Sequence, residues 1–392
     1  MSTSVETIKN DIKASIETQT VALKELALKI HANPELGFKE SLAAGWLANY
    51  LEKNGFNIEH DLAGLETAFR ATYGSGKPKI AFVGEYDALP DVGHACGHNL
   101  IATASVGAAV ATIQLVDTFG GQIQFIGTPA EELFGGKIIM AQKGVFKDLD
   151  AAMMVHPESG VSTATAKALA CVTLYVEYIG KEAHAAAEPS EGVNALDAIV
   201  IAYSAVAALR QHIRASARVH GIITDGGQAA NVIPGHASGN FLVRAADLPY
   251  LEEIKERVLN CFRAGAQATG AELKYRWDPI AYEPLKNNMI LAELFTANMM
   301  ALGRQILLED ASQSFGSTDM GNVSQMVPSL HGFVAIAPKN VIGHTREFAA
   351  AASSEEGLYG MLDAARALAM IATDLMSEPR LLRQVKESFD DG

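Results

Sequence analysis

The first apolar positions of the chain recur at helical spacing, which is typical of an amphipathic helix with one buried face. These positions are Ile8, Ile12, Ile16, Leu23, Leu26 and Ile30. Because proline disfavours the helical conformation in the residue before it, we expect this helix to end near Asn33-Pro34. A second helix is predicted from about Glu40 to Asn54, closed by Gly55.

Short, unbroken apolar runs follow and alternate with a longer one. The runs at 79–84, 122–127 and 152–155 are typical of parallel strands that are covered on both faces, because such strands lose the polar alternation. Residues 100–116 are rich in Ala, Gly, Val and Ile, and they predict a buried helix. Together with an apolar run at 333–337, this β-α-β-α-β order predicts an α/β catalytic domain on an open parallel sheet.

The pattern changes after Lys167, where the predicted strands become amphipathic. Strands are predicted at 171–178, 218–223, 238–244 and 272–277, and helices at 193–212 and 249–269. This β-α-β-β-α-β order is that of the α+β ferredoxin-like arrangement. We therefore predict a catalytic domain in two parts, residues 1–167 and 282–392, interrupted by an inserted domain of residues 168–281.

Polar clusters follow four of the apolar runs. Cys96 and His98 come after the first run, Glu131-Glu132 after the second, His156 after the third and His344 after the fourth. Because ligands bind at the carboxyl ends of strands in an open parallel sheet, we expect these clusters to meet there. A Cys-x-His pair alone is more often a buried thiol beside a helix-capping histidine, and a Glu-Glu pair alone is more often solvated surface. The shared placement is what favours a functional site.

The clustered side chains are of the types that zinc accepts together. The candidate ligands are Cys96, His98, Glu132, His156 and His344. Five ligands exceed what one tetrahedral ion with a bound water uses, so two neighbouring metal ions are the simpler interpretation. Glu131 then remains to take a proton from metal-activated water as a general base. A cysteine nucleophile at Cys96 is disfavoured, because His98 in an extended loop would point in the same direction as the thiol rather than at it.

Composition narrows the class of protein further. The chain has 392 residues, 49% hydrophobic and 19% charged, as expected for a globular protein of two domains. A formal net charge of -14 argues against nucleic acid or an anionic membrane as a partner. The N-terminus lacks the features of a signal peptide, and we expect no apolar run long enough to span a bilayer, which favours a cytoplasmic location. Three cysteines, Cys96, Cys171 and Cys261, argue against a disulfide framework.

With these motifs the chain resembles metallopeptidase family 20, the group that includes aminoacylase, carnosinase and the plant hydrolases of indole-acetyl amino acids. The motifs lie at 31–37, 87–90, 94–98, 129–132 and 180–186 and at His344, and they cover nearly the whole chain. The resemblance implies a dinuclear-metal exopeptidase-type catalytic domain with an inserted lid through which the chain forms a homodimer.

The Cys-Gly-His motif marks the amidohydrolase branch of that family, and the resemblance to it implies roles for individual residues. The five candidate ligands would hold two divalent ions, zinc or manganese, and Glu131 would be the general base. His184 of the lid would reach the active site of the partner subunit and stabilise the oxyanion.

Two departures from the branch pattern narrow the substrate. Asn99 stands where many members have Asp, and Glu85-Tyr86-Asp87 stands where many have an arginine-containing run. These departures resemble the sub-branch of the β-alanyl-lysine (Xaa-Arg) dipeptidases and the bacterial p-aminobenzoyl-glutamate hydrolases. We therefore expect a dipeptidase for basic C-terminal residues, with an N-acyl or p-aminobenzoyl amino acid amidohydrolase as the alternative. Asn231 is expected to help hold the substrate, and Arg244 to bind a carboxylate or to form a surface ion pair.

Two further classes of protein remain as alternatives. A non-catalytic metal-binding partner protein on the same scaffold would be expected to lose some of its ligands, and this chain keeps all five together with Glu131. A structural zinc protein would have a closed site of four ligands with no acid beside it.

Overall fold

The computed structural model describes residues 5–310 and 316–390, and these residues form two compact units. The first unit contains residues 5–167, 285–310 and 318–390, and the second contains 168–284 and 316–317. The predicted boundary at 281/282 therefore differs from the observed one, because residues 282–284 continue to pair with the second unit. Tyr282, for example, exchanges two backbone hydrogen bonds of 2.9 Å with Cys171.

The helices and strands alternate along most of the chain. The helices are α1 (Val5–His31), α2 (Ser41–Lys53), α3 (His98–Ala111), α4 (Ile113–Phe119), α5 (Glu131–Phe134), α6 (Gly136–Gln142), α7 (Ala195–Leu209), α8 (Leu248–Thr269), α9 (Met289–Ala301), α10 (Met320–Ser324), α11 (Arg346–Ala351), α12 (Glu355–Ser377) and α13 (Pro379–Asp390). The strands are β1 (Asn57–Glu59), β2 (Phe69–Ser75), β3 (Lys79–Glu85), β4 (Gly121–Thr128), β5 (Ala151–Ser159), β6 (Ser162–Thr163), β7 (Ala170–Ile179), β8 (Arg218–Asp225), β9 (His236–Ala245), β10 (Glu272–Trp277), β11 (Ile306–Leu307) and β12 (Ser329–Ala337).

The sheet of the first unit has the strand order β1-β2-β4-β3-β5-β12-β6-β11. Its central strands β4, β3, β5 and β12 are parallel, which confirms the predicted α/β class. The prediction of a wholly parallel sheet is wrong at the edges. Strand β2 runs antiparallel to β4, β1 runs antiparallel to β2, and β6 returns antiparallel to β12.

Helix α3 is the centre of the larger core, where it packs against β3, α1 and α12. The predicted single helix at 100–116 is two helices, α3 and α4, separated at Thr112. The expectation that no apolar run is long enough to span a bilayer is also wrong, because His98–Phe119 passes by length and composition. Of the residues in its apolar 18-residue window, 89% are buried inside the protein, so it is a core element of the first unit.

The second unit contains a four-stranded antiparallel sheet in the order β10-β7-β9-β8, with α7 and α8 packed on one face. In chain order this is the predicted β-α-β-β-α-β sequence of elements. Each helix begins at a side chain that accepts a hydrogen bond from the first turn. Asn194 accepts from the Asp197 amide, and Asp247 accepts from the Tyr250 amide.

Candidate metal centre

A left-handed glycine places Cys96 and His98 at the carboxyl end of β3. Gly97 has φ of 78°, and a Cβ at this position would lie 2.4 Å from Pro157 Cγ, so only glycine fits. The chain therefore turns at Gly97 and starts α3 at His98. The prediction that both side chains lie on a loop is right for Cys96 and wrong for His98.

A second tight turn positions Glu131 and Glu132 after β4. Ala130 has φ of 60°, and its amide donates to Glu40 Oε1 at 2.8 Å. This hydrogen bond stabilises the turn. A Cβ on Gly136 would lie 1.8 Å from the Pro129 carbonyl oxygen, so the chain can fold back only at a glycine. The two carboxylates thus sit on α5, a single helical turn facing the end of β3.

The two remaining candidate ligands are His156, which lies inside a strand, and His344, which lies in a turn. His156 lies inside β5, opposite Phe333 of β12, rather than after the strand as predicted. His344 is held in a left-handed conformation with φ of 63°, and its amide donates to the Ala95 carbonyl at 2.9 Å. That hydrogen bond brings the late loop next to Cys96.

All five predicted ligands and Glu131 converge in the first unit. Cys96 Sγ lies 3.3 Å from His156 Nε2, and Glu132 Oε1 lies 3.5 Å from His344 Nε2 and 3.8 Å from His98 Nε2. Four triads among the described residues have ligand atoms that all lie within 4.8 Å of one another. Three of them consist of these six side chains, namely Cys96-His98-His156, Cys96-Glu132-His344 and His98-Glu131-Glu132, and the fourth is Glu85-Glu131-Asp319.

This donor set fits divalent metal ions. His98 Nε2 and Glu132 Oε1 are buried and have no hydrogen-bond partner among the described residues, although each points at other electron-rich atoms. Burial raises the pKa of the Cys96 thiol well above its usual range, and the nearby Glu132 and Glu131 raise it further, so a thiolate here needs a bound cation. Sulfur, imidazole and carboxylate together are a set that zinc accepts.

Asp87 orients two of the candidate ligands, a role that the sequence alone does not reveal. Its Oδ1 lies 2.9 Å from His98 Nδ1, and its Oδ2 accepts from the Glu132 amide at 3.1 Å. This contact holds the proton of the imidazole on Nδ1 and leaves Nε2 to face the centre. Burial alone would raise the pKa of Asp87, but His98 lowers it, which keeps the carboxylate charged.

The surroundings of His156 and Glu131 shift the pKa values of these two residues in opposite directions. Burial, assisted by His331 and His98, lowers the pKa of His156 to about 3, so its ring is neutral and able to bind a metal. Burial raises the pKa of Glu131 well above its usual range, and the charges of Glu85, Asp319 and Glu132 add to that effect. A carboxyl group in such surroundings accepts a proton readily.

A buried ion-pair cluster of Glu85, Lys137 and Asp319 lies beside these ligands. Lys137 Nζ lies 2.5 Å from Glu85 Oε1 and 2.7 Å from Asp319 Oδ1. Sequence reasoning missed all three as site residues. Lys137 carried the clearest signal, because it is the charged residue within the otherwise apolar helix α6.

The other predicted site residues, His184, Asn231 and Arg244, belong to the second unit. His184 is exposed, and its Nδ1 accepts hydrogen bonds from the amides of Ala186 at 3.3 Å and Ala187 at 3.1 Å. Since those donors occupy Nδ1, the proton of the neutral ring lies on Nε2, which is available as a donor. The Asn231 carbonyl accepts from the Ala185 amide at 3.0 Å, so both candidate residues share one local structure.

Comparison with known proteins gives a consistent assignment. The model of peptidase family M20/M25/M40 matches residues 81–367. The chain is 37% identical over 402 residues to an Xaa-Arg dipeptidase of Mus musculus, covering 98% of this chain and 93% of that protein. It is 34% identical over 306 residues to a p-aminobenzoyl-glutamate hydrolase chain of Escherichia coli, covering 73% and 64% respectively. Its fold is similar to that of a dinuclear metal-binding peptidase from Bacillus subtilis, with a TM-score of 0.69, 21% identity and coverage of 91% and 99%.

Proposed function

The chain belongs to peptidase family M20/M25/M40 and is a metal-dependent hydrolase of peptide or amide bonds, and from this premise we propose that it is a dipeptidase for basic C-terminal residues. The observation that carries the proposal is the convergence of six side chains from four separate segments of the first unit. These side chains are Cys96, His98, Glu131, Glu132, His156 and His344.

We assign the five ligands of that set to two divalent ions and Glu131 to proton transfer. Bound there, the ions would polarise the scissile carbonyl and lower the pKa of a water molecule. Glu131 takes the proton from the attacking water and passes it to the leaving amine. The thiolate of Cys96 favours zinc, while the oxygen and nitrogen donors also accept manganese.

His184 is assigned to the oxyanion of the tetrahedral intermediate. Its exposed Nε2 proton is the donor that this role needs, and removal of one such donor typically costs about 10²–10³ in rate. We propose that His184 acts on the active site of a second copy in a homodimer, as in the family that the chain resembles.

An apolar surface of the second unit supports that homodimer. Strand β8 is the last strand of its sheet, and its Ile222 is 63% exposed. On α7, Val200 and Ile201 are 46% and 39% exposed, and this helix is joined to β8 by the Tyr203 hydroxyl, which donates to the Gly221 carbonyl. An unpaired edge strand beside an exposed apolar helix face is suited to pairing with a second copy.

Arg244 and Asn231 are assigned to substrate binding. Arg244 Nη1 donates to Ser317 Oγ at 2.7 Å, and its guanidinium has no carboxylate partner within residues 5–310 and 316–390. The surface ion pair that the sequence left open is therefore not formed within the described part of the chain. An arginine without an acidic partner is suited to bind the carboxylate of a C-terminal amino acid.

A cytoplasmic location completes the proposal. Cys96, Cys171 and Cys261 are all free thiols, as expected in a reducing compartment.

The proposed substrate class is tested by hydrolysis of a small panel. Metal-reconstituted protein is assayed with β-alanyl-lysine, an aliphatic-arginine dipeptide, p-aminobenzoyl-glutamate and an N-acetyl amino acid, each with a chelator control. Chelator-sensitive cleavage of the basic dipeptides is the expected result. Cleavage of only the p-aminobenzoyl or acetyl substrates would instead favour the amidohydrolase that the Escherichia coli relative suggests. A blank panel from protein that binds two metal ions would favour a non-catalytic partner protein.

A further inference from the structure

Glu85 is a buried acidic residue beside the candidate ligands that has been given no role. It is the last residue of β3, is 1% exposed, and lies two residues before Asp87, which orients His98. Its position also falls in the segment Glu85-Tyr86-Asp87, where the sequence departs from the amidohydrolase pattern. A buried carboxylate at the end of a strand needs a compensating positive charge.

One oxygen of Glu85 is already compensated. Lys137 Nζ lies 2.5 Å from Glu85 Oε1, and Asp319 holds the same lysine through its ammonium group and its backbone amide, at 2.7 and 2.9 Å. Lys137 and Asp319 are each 0% exposed. The carboxylate of Glu85 is therefore fixed in orientation, with Oε1 towards Lys137 and Oε2 towards His98.

The second oxygen faces an atom that offers it no hydrogen bond. Glu85 Oε2 lies 3.5 Å from His98 Nε2, and Nε2 has no hydrogen-bond partner among the described residues. Asp87 accepts the Nδ1 proton of the ring, so Nε2 and Oε2 face each other across a gap that a metal ion can fill in place of a second ring proton. A buried carboxylate oxygen and an imidazole nitrogen at this distance need a positive charge between them, which is either a proton or a metal ion.

The separations match those of donors around one ion. Donors at 2.0–2.1 Å from a tetrahedral ion lie roughly 3.3–3.4 Å apart. The Glu85 Oε2 to His98 Nε2 distance of 3.5 Å and the Glu132 Oε1 to His98 Nε2 distance of 3.8 Å are close to that value. Glu85 therefore stands in the same geometric relation to His98 as the predicted ligand Glu132 does.

We propose that Glu85 is a sixth donor of the metal centre, which binds through Oε2 the ion that His98 holds. Lys137 and Asp319 are positioning residues that keep the other oxygen of Glu85 turned away from that ion. This inference rests on the proposed two-metal function and adds to it an oxygen ligand outside the set of five.

The test is metal binding rather than turnover. Wild-type protein, Glu85→Gln and Asp150→Asn are stripped of metal, and zinc affinity is measured by competition with a chromogenic chelator. Asp150→Asn is the matched control, because Asp150 is also a buried aspartate of the first unit and is paired with a lysine, Lys386, at 2.8 Å. Among the described residues it contacts none of the candidate ligands. We expect Glu85→Gln to weaken the binding of one of the two ions by about 10–100-fold or more, and Asp150→Asn to stay within about threefold of wild type.

A second readout reports on coordination directly. The cobalt-substituted proteins are compared by their visible d–d absorption, which changes when a donor is lost. We expect the spectrum of Glu85→Gln to differ from that of wild type, and the spectrum of Asp150→Asn to match that of wild type. Equal zinc affinity and an unchanged spectrum in Glu85→Gln would overturn the inference. Equal losses in both variants would also overturn it, because they would indicate the loss of a buried ion pair rather than of a ligand.

Two further outcomes are a variant that does not fold and a wild-type protein that binds no metal, and the experiment distinguishes both from failure of the inference. If Glu85→Gln leaves Lys137 unpaired and does not fold, the double variant Glu85→Gln/Lys137→Met removes both charges together and is expected to show the same loss of affinity. Wild-type affinity in that double variant would overturn the inference. If wild-type protein itself binds no metal, the proposed function fails, whereas two tightly bound ions in both wild type and Glu85→Gln refute only the role of Glu85.

Discussion

At the scale of single residues, the candidate centre depends on side chains that orient other side chains. Asp87 fixes the ring of His98 and the amide of Glu132 with its two oxygens. The motif that contains Asp87 was visible in the sequence, but its role was not, because the contact depends on where α3 and α5 begin. Orientation of this kind determines how well a metal site is preorganised.

We predict that Asp87→Asn weakens metal binding without removing a ligand. The amide can present a donor to His98 Nδ1 and so favour the wrong tautomer. Affinity should fall by about 10–100-fold, as is typical for partners of metal ligands. Chelator competition measures this, with Asp148→Asn, a surface aspartate paired with Lys79, as the control. An Asp87→Asn protein with wild-type affinity would contradict the orienting role.

We predict that His236 in the second unit makes the stability of the protein depend on pH. His236 Nδ1 lies 2.6 Å from Asp225 Oδ2, and Nε2 lies 2.8 Å from Glu177 Oε1. These contacts raise the pKa of His236 above its ordinary value of 6.5, because both carboxylates stabilise the imidazolium.

A group whose pKa is raised on folding stabilises the protein below its unfolded pKa and loses that contribution as the pH rises through the folded value. The unfolding midpoint of wild type should therefore fall, relative to that of His236→Gln, as the pH rises above about 6.5. Thermal unfolding at a series of pH values measures the difference. Parallel profiles for the two proteins would show that the contacts of His236 do not contribute.

At the scale of elements, tight turns after strands deliver the ligands. Gly97 lies against the Pro157 side chain and Gly136 against the Pro129 carbonyl, and a Cβ would block both approaches. Each glycine adjoins a segment that carries candidate ligands. Pairing in the sheet fixes the positions of the strands, and the turns that directly follow the strands are therefore fixed as well. This explains why residues that are far apart in sequence reach one centre.

We predict that Gly97→Ala destabilises the first unit and lowers metal content. The alanine would have to adopt a left-handed backbone conformation, and its Cβ would collide with Pro157. Gly76→Ala is the matched control, because Gly76 has φ of 87° and a Cβ there would meet no atom within 4 Å. Both variants carry left-handed strain of about 1–2 kcal/mol, so a larger loss in Gly97→Ala isolates the collision. Unfolding midpoint and zinc content are measured together, and equal behaviour of the two variants would show that the collision with Pro157 costs nothing.

Much of the element order could be predicted from hydrophobic pattern, and the failures have physical causes. Strands β6 and β11 have two residues each, which is too short for any periodicity to show. The ion pair between Lys137 and Asp319 joins residues 182 positions apart, so no local pattern contains it. The ligand clusters were recognisable because each follows an apolar run, whereas Glu85 is itself the end of such a run.

At the scale of the whole molecule, we propose that two copies of the chain complete each active site. His184 and Glu131 would then come from different subunits at any one site. The exposed apolar residues of α7 and β8 are the surface through which the copies would associate.

Mixing two inactive variants tests this arrangement. His184→Ala and Glu131→Gln are each expected to be inactive, but a hybrid dimer would contain one site with both residues intact. After subunit exchange at equal amounts, activity should recover to about one quarter of wild type, since half of the dimers are hybrid and each has one intact site. Mass spectrometry of differently labelled subunits verifies exchange. Verified exchange without recovery would refute the trans role of His184.

The most direct test of the proposed mechanism is to measure metal content and turnover on the same sample of Glu131→Gln. We predict two ions per chain, as in wild type, and a rate lower by about 10²–10⁴ or more on a basic dipeptide, because the base is lost while the ligands remain. Retained turnover at full metal content would contradict the assignment of Glu131 as the base. Loss of metal together with activity would contradict its separation from the ligands.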